Sequence, residues 1–460
     1  ISLAVLAIFP MPYLRSFAYA GVAVVALAAI SSIVVLPSVL AVLGPRIEKG
    51  RLFKVHETTD GGFWRHQANR VMRHPVPYAV AVSLVLILLA IPFFHVSLGL
   101  PDDRVGPKSM TSRAATDAVR HNFATREADA LQVRIPDVDV TKDKTAIDAF
   151  ARRIERVHGV VRIDAVTGFY GDVLGDGKQI FIPPELGPKA ITQRFVAQRG
   201  QLGTYLSVVP DVEPFSPQGE KLVKDIRATP APFKFEVSGL SAQLVDTKHA
   251  VISRLPIALG FIALATFVLL FMMTGSLLVP AKALVLNMLS LTATFGATVW
   301  IFQDGHLSNL LGFTPTGTID VFTPILMFCI AFGLSMDYEV LLLSRIKEEY
   351  DLEHDNERAV AIGLAKTGRI VTAAALLLTI VFLGIATSHI ALLKAFGVGL
   401  GLAVIVDAFL IRATLVPAFM RLAGRLNWWS PSWLRRWHLR FGIWENEPIA
   451  LLDRQFDSSV

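Results

Sequence analysis

One acidic residue lies deep within an apolar stretch of the sequence. Asp337 stands sixteen residues into the apolar run 321–343. A carboxylate inside a membrane costs several kcal/mol unless it is protonated, paired or hydrated, so this position favours a proton acceptor whose charge changes with conformation. Tyr338, Ser335 and Glu339 place further polar atoms beside it. The alternative is a carboxyl group that only fixes the packing of the helices.

Asp407 is a second candidate, and it lies in the last apolar run, 395–417. It precedes Arg412 by five residues. Two interpretations stay open: Asp407 carries protons together with Asp337, or it forms a structural ion pair with Arg412, about one and a half helical turns away.

Uncharged polar residues in other apolar runs are candidates for a supporting role. Asn287 and Ser290 lie in the run 283–302, and Thr372 lies in the run 369–388. Because Ser and Thr in membrane helices more often join helices than bind ligands, these residues are candidates only as neighbours of Asp337.

The sequence predicts no enzyme. It contains no Ser-His-Asp arrangement, no nucleotide-binding loop after a strand and no kinase signature. Cys329 is its single cysteine, and His389 has no His or Cys partner at metal-binding spacing. We therefore expect no catalytic residue, no metal site and no cofactor, and we do not expect ATP as the direct energy source.

The composition indicates a membrane protein. Hydrophobic residues make up 53% of the chain and charged residues only 18%, which excludes an ordinary soluble globular protein. Stretches long enough to cross a bilayer as helices occur seven times, and residues 1–9 resemble the end of another. These stretches are 16–40, 77–97, 255–275, 283–302, 321–343, 369–388 and 395–417.

Basic residues set the expected topology. They are concentrated in 41–76, 344–368 and 422–460, which the positive-inside rule places in the cytoplasm of a multi-pass plasma-membrane protein. The polar insert 98–250 then lies outside the cell. The net charge of +6 is explained by these flanks, so we expect no nucleic-acid partner. The predicted organisation has six segments. They are a remnant with the first full span (1–40), a basic linker (41–76), a single span (77–97), the insert (98–250), a five-helix bundle (251–421) and a tail (422–460).

The insert 98–250 has the periodicities of an α+β domain. Strand-like alternation at 131–135 precedes a helical face from Ile147 to Val157, and a second unit of the same kind runs from 160 to 237. The order βαββαβ predicts a ferredoxin-like fold. The Gly- and Pro-rich connection 169–203 has no firm assignment.

The segment 431–444 combines Trp and Phe at helical spacing with interleaved arginines. Such a pattern also occurs in proteins that stack on nucleic acid. Directly after a membrane span, it favours an amphipathic helix at the inner-leaflet interface.

An internal repeat relates the first and last spans. Residues 13–21 leading to Pro37 resemble residues 393–399 leading to Pro417, with Arg15 matching Lys394 and Phe17 matching Phe396. If the last span ends one repeat, the span 16–40 ends an earlier one. We therefore expect half of a duplicated protein together with a remnant of the other half.

The stretch Phe332–Glu349, which contains Ser-Met-Asp-Tyr-Glu, resembles the signature span of the MmpL (mycobacterial membrane protein large) transporters, a branch of the resistance-nodulation-division superfamily. Further matches lie at Thr367–Ala374, Arg412–Pro417, Asn427–Trp429 and Leu100–Arg104. The resemblance covers nearly the whole chain.

This resemblance implies a helical membrane bundle with ferredoxin-like porter domains, in which 321–343 corresponds to the tenth span. It also implies that Asp337 and Tyr338 relay protons with a matching Asp-Tyr pair on the fourth span, which this sequence lacks. We therefore expect membrane lipids, protons and a separate N-terminal half as partners.

The expected function is half of an exporter of cell-envelope lipids or other amphiphiles, driven by the proton-motive force. One alternative is a non-transporting remnant or receptor-like lipid-binding module. A second alternative is efflux of drugs or other small molecules.

Overall fold

The computed structural model describes residues 1–44, 46, 62–123, 126–173, 177–186, 193–198 and 201–443. The predicted linker 41–76 and tail 422–460 therefore lie partly outside the described residues. The chain forms two compact units: Ile1–Ser97 with Arg254–Val460, and Leu98–Ser253.

Helices make up most of the first unit. In chain order, the longer helices of the described residues are α1 (Pro12–Leu43), α2 (Gly62–Arg73), α3 (Pro75–His95), α4 (Thr111–Asn122), α5 (Lys144–Glu155), α6 (Pro217–Arg227), α7 (Leu240–Thr274), α8 (Leu278–Gln303), α9 (Phe322–Glu353), α10 (Asn356–Ala386), α11 (Ala391–Trp428) and α12 (Ser432–Phe441). A short 3-10 helix at Ala4–Ile8 precedes α1, and a single turn lies at Ser308–Leu311.

Seven of the described helices are long and apolar enough to span a membrane: α1, α3, α7, α8, α9, α10 and α11. The predicted number of spans is confirmed. The amphipathic helix α2, in the segment interpreted as a linker, was missed. Its buried residues Ala68, Val71 and Met72 pack into the same core as Ile346 of α9 and Leu364 of α10.

The bundle is organised around α8 and α11. In their most apolar windows, 61% of the α8 residues and 72% of the α11 residues are buried, whereas none are buried in α1. Small residues allow close approach: a Cβ atom at Gly296 of α8 would lie 2.1 Å from the carbonyl oxygen of Leu89 in α3. Close contact between helix backbones is how membrane helices gain packing energy without a hydrophobic driving force between them.

The internal repeat is visible in the conformations of α1 and α11. Each helix contains a π-helical stretch that ends just before the turn of its matching proline, at Ser31–Val35 before Pro37 and at Val406–Leu415 before Pro417. Seven residues later, each α-helical stretch is capped by a glycine in nearly the same conformation, Gly44 (φ 48°, ψ −136°) and Gly424 (φ 52°, ψ −124°). The two spans therefore share one structural plan.

The repeat contains one inserted residue. Lys394 follows Arg15 by 379 positions, but Pro417 follows Pro37 by 380. The extra residue falls in the region where the π-helical stretch of α11 has ten residues and that of α1 has five. Because a π-helix holds more residues per turn than an α-helix, the longer stretch absorbs the insertion.

The second unit contains a six-stranded antiparallel sheet with strands β1 (Leu131–Ile135), β2 (Val160–Ala165), β3 (Gly168–Gly171), β4 (Ile180–Ile182), β5 (Thr204–Pro210) and β6 (Glu236–Ser238), in the order β4-β3-β2-β5-β1-β6. Two further strand assignments cover only Leu98–Gly99 and Ile319–Asp320. The order β2-β5-β1-β6 is that of a ferredoxin-like sheet, and the predicted fold class is confirmed.

Two details of the α+β unit differ from the sequence prediction. The hairpin strands β3 and β4 lie partly in the connection without an assignment, and they extend the sheet beyond β2. The sequence alternates like a strand from Phe233 to Val237, but the last strand begins only at Glu236, because Phe233 and Phe235 pack on Phe150 of α5 at ring-centroid distances of 5.3 and 4.8 Å. The alternation there reflects contact with a helix rather than pairing in the sheet.

Candidate functional site

Two faces of α9 carry the candidate residues. Ser335 and Glu339 are four residues apart and so lie on one side of the helix. Asp337 lies two residues from each, about 200° around the helix axis. Ser335 and Glu339 are buried, whereas Asp337 is exposed on the surface of this chain.

Arg412 of α11 is the centre of the buried side. Its Nε atom donates to Asp407 Oδ2 at 2.8 Å, and its Nη1 atom donates to Glu339 Oε2 at 3.2 Å. Its Nη2 atom donates to the carbonyl oxygen of Ser335. Arg412 and Glu339 are each only 1% exposed and Asp407 is 5% exposed, so each carboxylate is compensated inside the protein.

Hydrogen bonds extend this network to α8. Ser335 Oγ lies 2.7 Å from Asn287 Oδ1 and 2.8 Å from Asp407 Oδ1, and it donates its single hydrogen to one of them at a time. Asn287 Nδ2 contacts the sulfur of Met336 at 3.1 Å. Three spans, α8, α9 and α11, are thus joined through polar side chains.

The π-helical stretch Val406–Leu415 brings Asp407 and Arg412 together. Residues five apart point about 140° away from each other on an α-helix. A π-helix closes hydrogen bonds between residues i and i+5, so residues five apart come to the same side. The ion pair within α11 therefore depends on the local widening of the helix.

Lys282 is a fourth charged group near this network. Its Nζ atom and Glu339 Oε1 are both buried, and neither makes a hydrogen bond with the described residues. The Glu339 carboxylate interacts electrostatically with the Lys282 ammonium group. With Lys282 and Arg412 as cations and Asp407 and Glu339 as anions, the cluster has no formal net charge.

Tyr338 lies between the two faces of α9. Its ring is covered by the guanidinium group of Arg412, with the Cζ atom 5.6 Å from the ring centroid. Such a contact of a cation with an aromatic face is favourable, by about 0.5–2 kcal/mol. Tyr338 thus contacts the buried network through Arg412, and it directly follows Asp337 in the sequence.

Asp337 has a different environment. Among the residues that the structure describes, it makes no hydrogen bond and no ion pair. One turn earlier on the same side, Gly333 is covered by Ser2, whose Oγ would lie 2.6 Å from a Cβ atom at that glycine. The segment before α1 thus packs next to Asp337 without covering it.

A small cavity borders the buried network under Trp64 of α2. Its internal space is only about 10 Å³, and its lining includes Leu342, Leu364, Val371 and Arg412. Apart from Arg412 and Thr367, the lining is apolar. The lining therefore offers Arg412 few polar partners, and its charge is compensated by Asp407 and Glu339.

A model of the MMPL family matches residues 105–450, which is most of the chain. The chain belongs to the MMPL family. It is a multi-pass membrane protein with an α+β domain between the third and seventh helices, as the sequence resemblance predicted.

Individual relatives align with nearly all of this MMPL chain. It is 34% identical to a membrane protein of Streptomyces coelicolor over 97% of the chain and 58% of that protein. It is 31% identical to the trehalose monomycolate exporter MmpL3 of Mycobacterium tuberculosis, over 97% of the chain and 49% of the exporter. It is 31% identical to the membrane protein YdfJ of Bacillus subtilis, over 94% and 56%. The chain spans about half the length of the curated relatives it matches.

The MMPL structure brings together several of the residues selected from the sequence. Ser335, Glu339, Asn287 and Asp407 form one network, and Tyr338 contacts its central arginine.

Two selected residues lie elsewhere. Ser290 is buried on α8, one turn after Asn287. Thr372 Oγ1 donates to the carbonyl oxygen of Gly368 in its own helix, at 2.6 Å. The hydroxyl group of Thr372 therefore bonds within its own helix and makes no hydrogen bond with Asp337.

Lys282 was missed from the sequence. It lies in the second turn of α8, one residue before the predicted span 283–302, where a lysine is typical of the flank of a membrane helix. Its spacing from Asn287, five residues along α8, gave no sign that its side chain turns into the bundle.

Proposed function

We propose that this chain forms part of an exporter that moves cell-envelope lipids or related amphiphiles across the plasma membrane, driven by proton flow. Relatives named as exporters of trehalose monomycolate and of mycolic acid-containing lipids support a lipid cargo. The observation that carries the proposal is the contrast on α9 between an uncompensated Asp337 and a compensated network beside it.

Asp337 is the proposed proton carrier. A charged carboxylate exposed on an apolar helix is costly to place against lipid or another apolar helix, and protonation removes this cost. Protonation therefore favours a packed arrangement of this face, and release of the proton favours one in which the carboxylate meets water or a polar partner. Tyr338 places a hydroxyl beside it that can donate to the charged carboxylate.

A second carboxylate completes the proposed relay. The resemblance assigns it to an Asp-Tyr pair on another span, which lies outside the printed sequence, on the same polypeptide or on a partner chain. The exposed position of Asp337 fits a residue whose partner comes from such a segment. Residues 98–253 would then form one of two porter domains.

The buried network is proposed to hold α8, α9 and α11 in register rather than to carry the proton itself. Asp407, Glu339 and Arg412 are ion-paired within this chain, so their charges are compensated inside the protein. Their role is to fix the rotation of α9, and thereby the direction in which Asp337 points.

The proposed topology follows the basic residues. Arg65, Arg70 and Arg73 of α2, together with Arg345 and Lys347 of α9, lie on segments that meet in one core region. We assign this end of the bundle to the cytoplasm. The α+β unit is then outside the cell.

The test is Asp337→Asn in the complete transporter, reconstituted in vesicles with an imposed proton gradient. The probes are a fluorescent trehalose mycolate for export and an internal pH-sensitive dye for proton flow. We expect the substitution to abolish both signals, because an amide has no titratable proton at these pH values, and Thr372→Val to leave both unchanged.

The same experiment separates the alternatives. Unchanged coupled flux in Asp337→Asn would overturn the proton-carrier role. Binding of the fluorescent lipid without flux in the wild-type protein would favour a receptor-like module. Proton-coupled flux of a small cationic dye but not of the lipid would favour drug efflux.

A further inference from the structure

The C-terminal helix α12 has a fixed place on the membrane bundle. His438 is buried against Gly275 in the turn between α7 and α8, where the backbone has a φ of +69° and a Cβ atom would lie 2.7 Å from His438 Cδ2. The ring of Phe271 lies 6.0 Å from that of His438, measured between centroids. After the helix, Ile443 N donates to the carbonyl oxygen of Met272 at 2.9 Å.

The exposed surface of α12 combines an aromatic strip with arginines. Trp433, Trp437 and Phe441 are spaced four residues apart and so form one aromatic strip, which is exposed along its length. Arg440 and Arg436 border this strip, at about 20° and about 60° around the helix axis from Trp433, and Arg435 lies on the opposite side; all three arginines are exposed. Helix α12 contains no acidic residue, and none of these arginines forms an ion pair with the residues that the structure describes.

The aromatic strip continues an apolar surface of α7. Phe261, Leu264 and Val268 are exposed at helical spacing on α7, and the next residue at this spacing, Phe271, is covered by α12. The Trp437 ring lies 6.0 Å from that of Phe271. An apolar strip that runs along a membrane-spanning helix faces lipid, so the aromatic strip lies where the acyl chains meet the headgroups.

We propose that α12 is a binding site for anionic lipid headgroups in the inner leaflet. The site rests on the topology proposed above, but not on the transport activity. Trp side chains favour the boundary between acyl chains and headgroups, and positively charged side chains at this boundary attract anionic headgroups. With the aromatic strip towards the acyl chains, Arg436 and Arg440 at its border lie at the level of the phosphates, and Arg435 points to the headgroup side. The lipid class is one with net negative charge, such as a phosphatidylglycerol.

The continuity with α7 favours a membrane over a nucleic acid or a protein as the occupant. A nucleic acid would need the tryptophans free for stacking in water. Here Trp437 packs against Phe271, a residue of a membrane-spanning helix.

The experiment measures lipid preference in the full chain. The purified protein is reconstituted in phosphatidylcholine bilayers, and spin-labelled phosphatidylglycerol and phosphatidylcholine are compared for the fraction immobilised at the protein surface. We expect the wild-type protein to prefer phosphatidylglycerol about threefold or more, and high salt to weaken the preference.

The test variant is Arg435→Gln, Arg436→Gln and Arg440→Gln combined. We expect it to lose the preference while immobilising as much phosphatidylcholine as wild type. The matched control removes the same charge from the α+β unit, with Arg153→Gln, Arg156→Gln and Lys224→Gln, and should keep the preference. A third variant with lysine at the three α12 positions should also keep most of it, because the charge remains.

Three outcomes would overturn the proposal. The first is an unchanged preference in the glutamine variant, and the second is an equal loss in the α+β control. The third is loss in the lysine variant as complete as in the glutamine variant. The assay needs no transport, so failure of the proposed export function leaves its result interpretable.

Discussion

Two carboxylates on α9 lie in opposite environments although only one residue separates them. Glu339 is 1% exposed, pairs with Arg412 and is close to Lys282. Asp337 is exposed and makes no hydrogen bond or ion pair with the described residues, although Arg412 interacts with it electrostatically. Both lie at a similar depth in the same helix, so depth does not separate a structural charge from a functional one. The neighbouring side chains do.

This difference assigns separate tasks to the two faces. A compensated network resists changes in charge and suits a fixed framework. An uncompensated carboxylate responds to a proton or to an incoming partner, and so suits a moving part. The comparison predicts that substitutions on the buried face of α9 lower the stability of the bundle. Substitutions of Asp337 on the exposed face should impair transport instead.

The largest effect on stability is expected for Arg412→Met. The substitution leaves Asp407 and Glu339 buried without their shared cation, which should lower the free energy of unfolding by about 3–5 kcal/mol. Equilibrium unfolding in mixed detergent micelles measures the change. Adding Asp407→Asn to Arg412→Met should restore most of the loss, because Lys282 then balances the remaining carboxylate of Glu339. A loss below about 1 kcal/mol in the single variant would show that the network does not stabilise the bundle.

A smaller loss is expected for Asp407→Asn. Arg412 keeps Glu339 and the carbonyl oxygen of Ser335, so we expect a loss of about 1–3 kcal/mol, the range for removing one charged hydrogen-bond partner. Asp304→Asn is the matched control. Asp304 pairs with His95 at 3.1 Å, but both side chains are accessible to solvent, so its removal should cost less than about 1 kcal/mol. Equal losses in the same unfolding assay would contradict the comparison.

The sequence was sufficient to predict the membrane class, the seven spans and the ferredoxin-like order, because these depend on apolar length and on periodicity. It also predicted the repeat from Arg15, Phe17 and Pro37 and their counterparts. It could not predict that the most apolar part of α1 is unburied whereas that of α11 is the most buried, because burial depends on contacts between helices distant in the sequence.

The sequence suggested an ion pair between Asp407 and Arg412, but it did not show that Arg412 also binds Glu339 and Ser335. An α-helical spacing places Asp407 and Arg412 on different sides, and no sequence signal indicated the π-helical stretch that aligns them. Glu339 was noticed only as a neighbour of Asp337, because sequence adjacency does not show which side of a helix is covered. The interaction of Lys282 with Glu339 was not predictable either, because it depends on the direction in which the lysine side chain points at the start of α8.

Removing one hydroxyl from the buried network and one from outside it gives a finer test. Ser335→Ala deletes the group that links Asn287 to Asp407, and should cost about 1–2 kcal/mol. Thr372→Val deletes a hydroxyl bonded within its own helix, and should cost less than about 0.5 kcal/mol. Thermal unfolding followed by tryptophan fluorescence ranks the two variants. The reverse order would mean that Ser335 does not join the spans.

The smallest change in stability is expected for Asp337→Asn, although it is the substitution that should abolish transport. An amide has nearly the shape of the carboxylate, and Asp337 makes no internal hydrogen bond or ion pair with the described residues that could be lost. We expect the free energy of unfolding of this chain to change by less than about 0.5 kcal/mol. Unfolding in the same detergent micelles, with Arg412→Met as the destabilised reference, makes the measurement. A loss close to that of Arg412→Met would place Asp337 within the structural framework, and the division of tasks between the two faces of α9 would then be wrong.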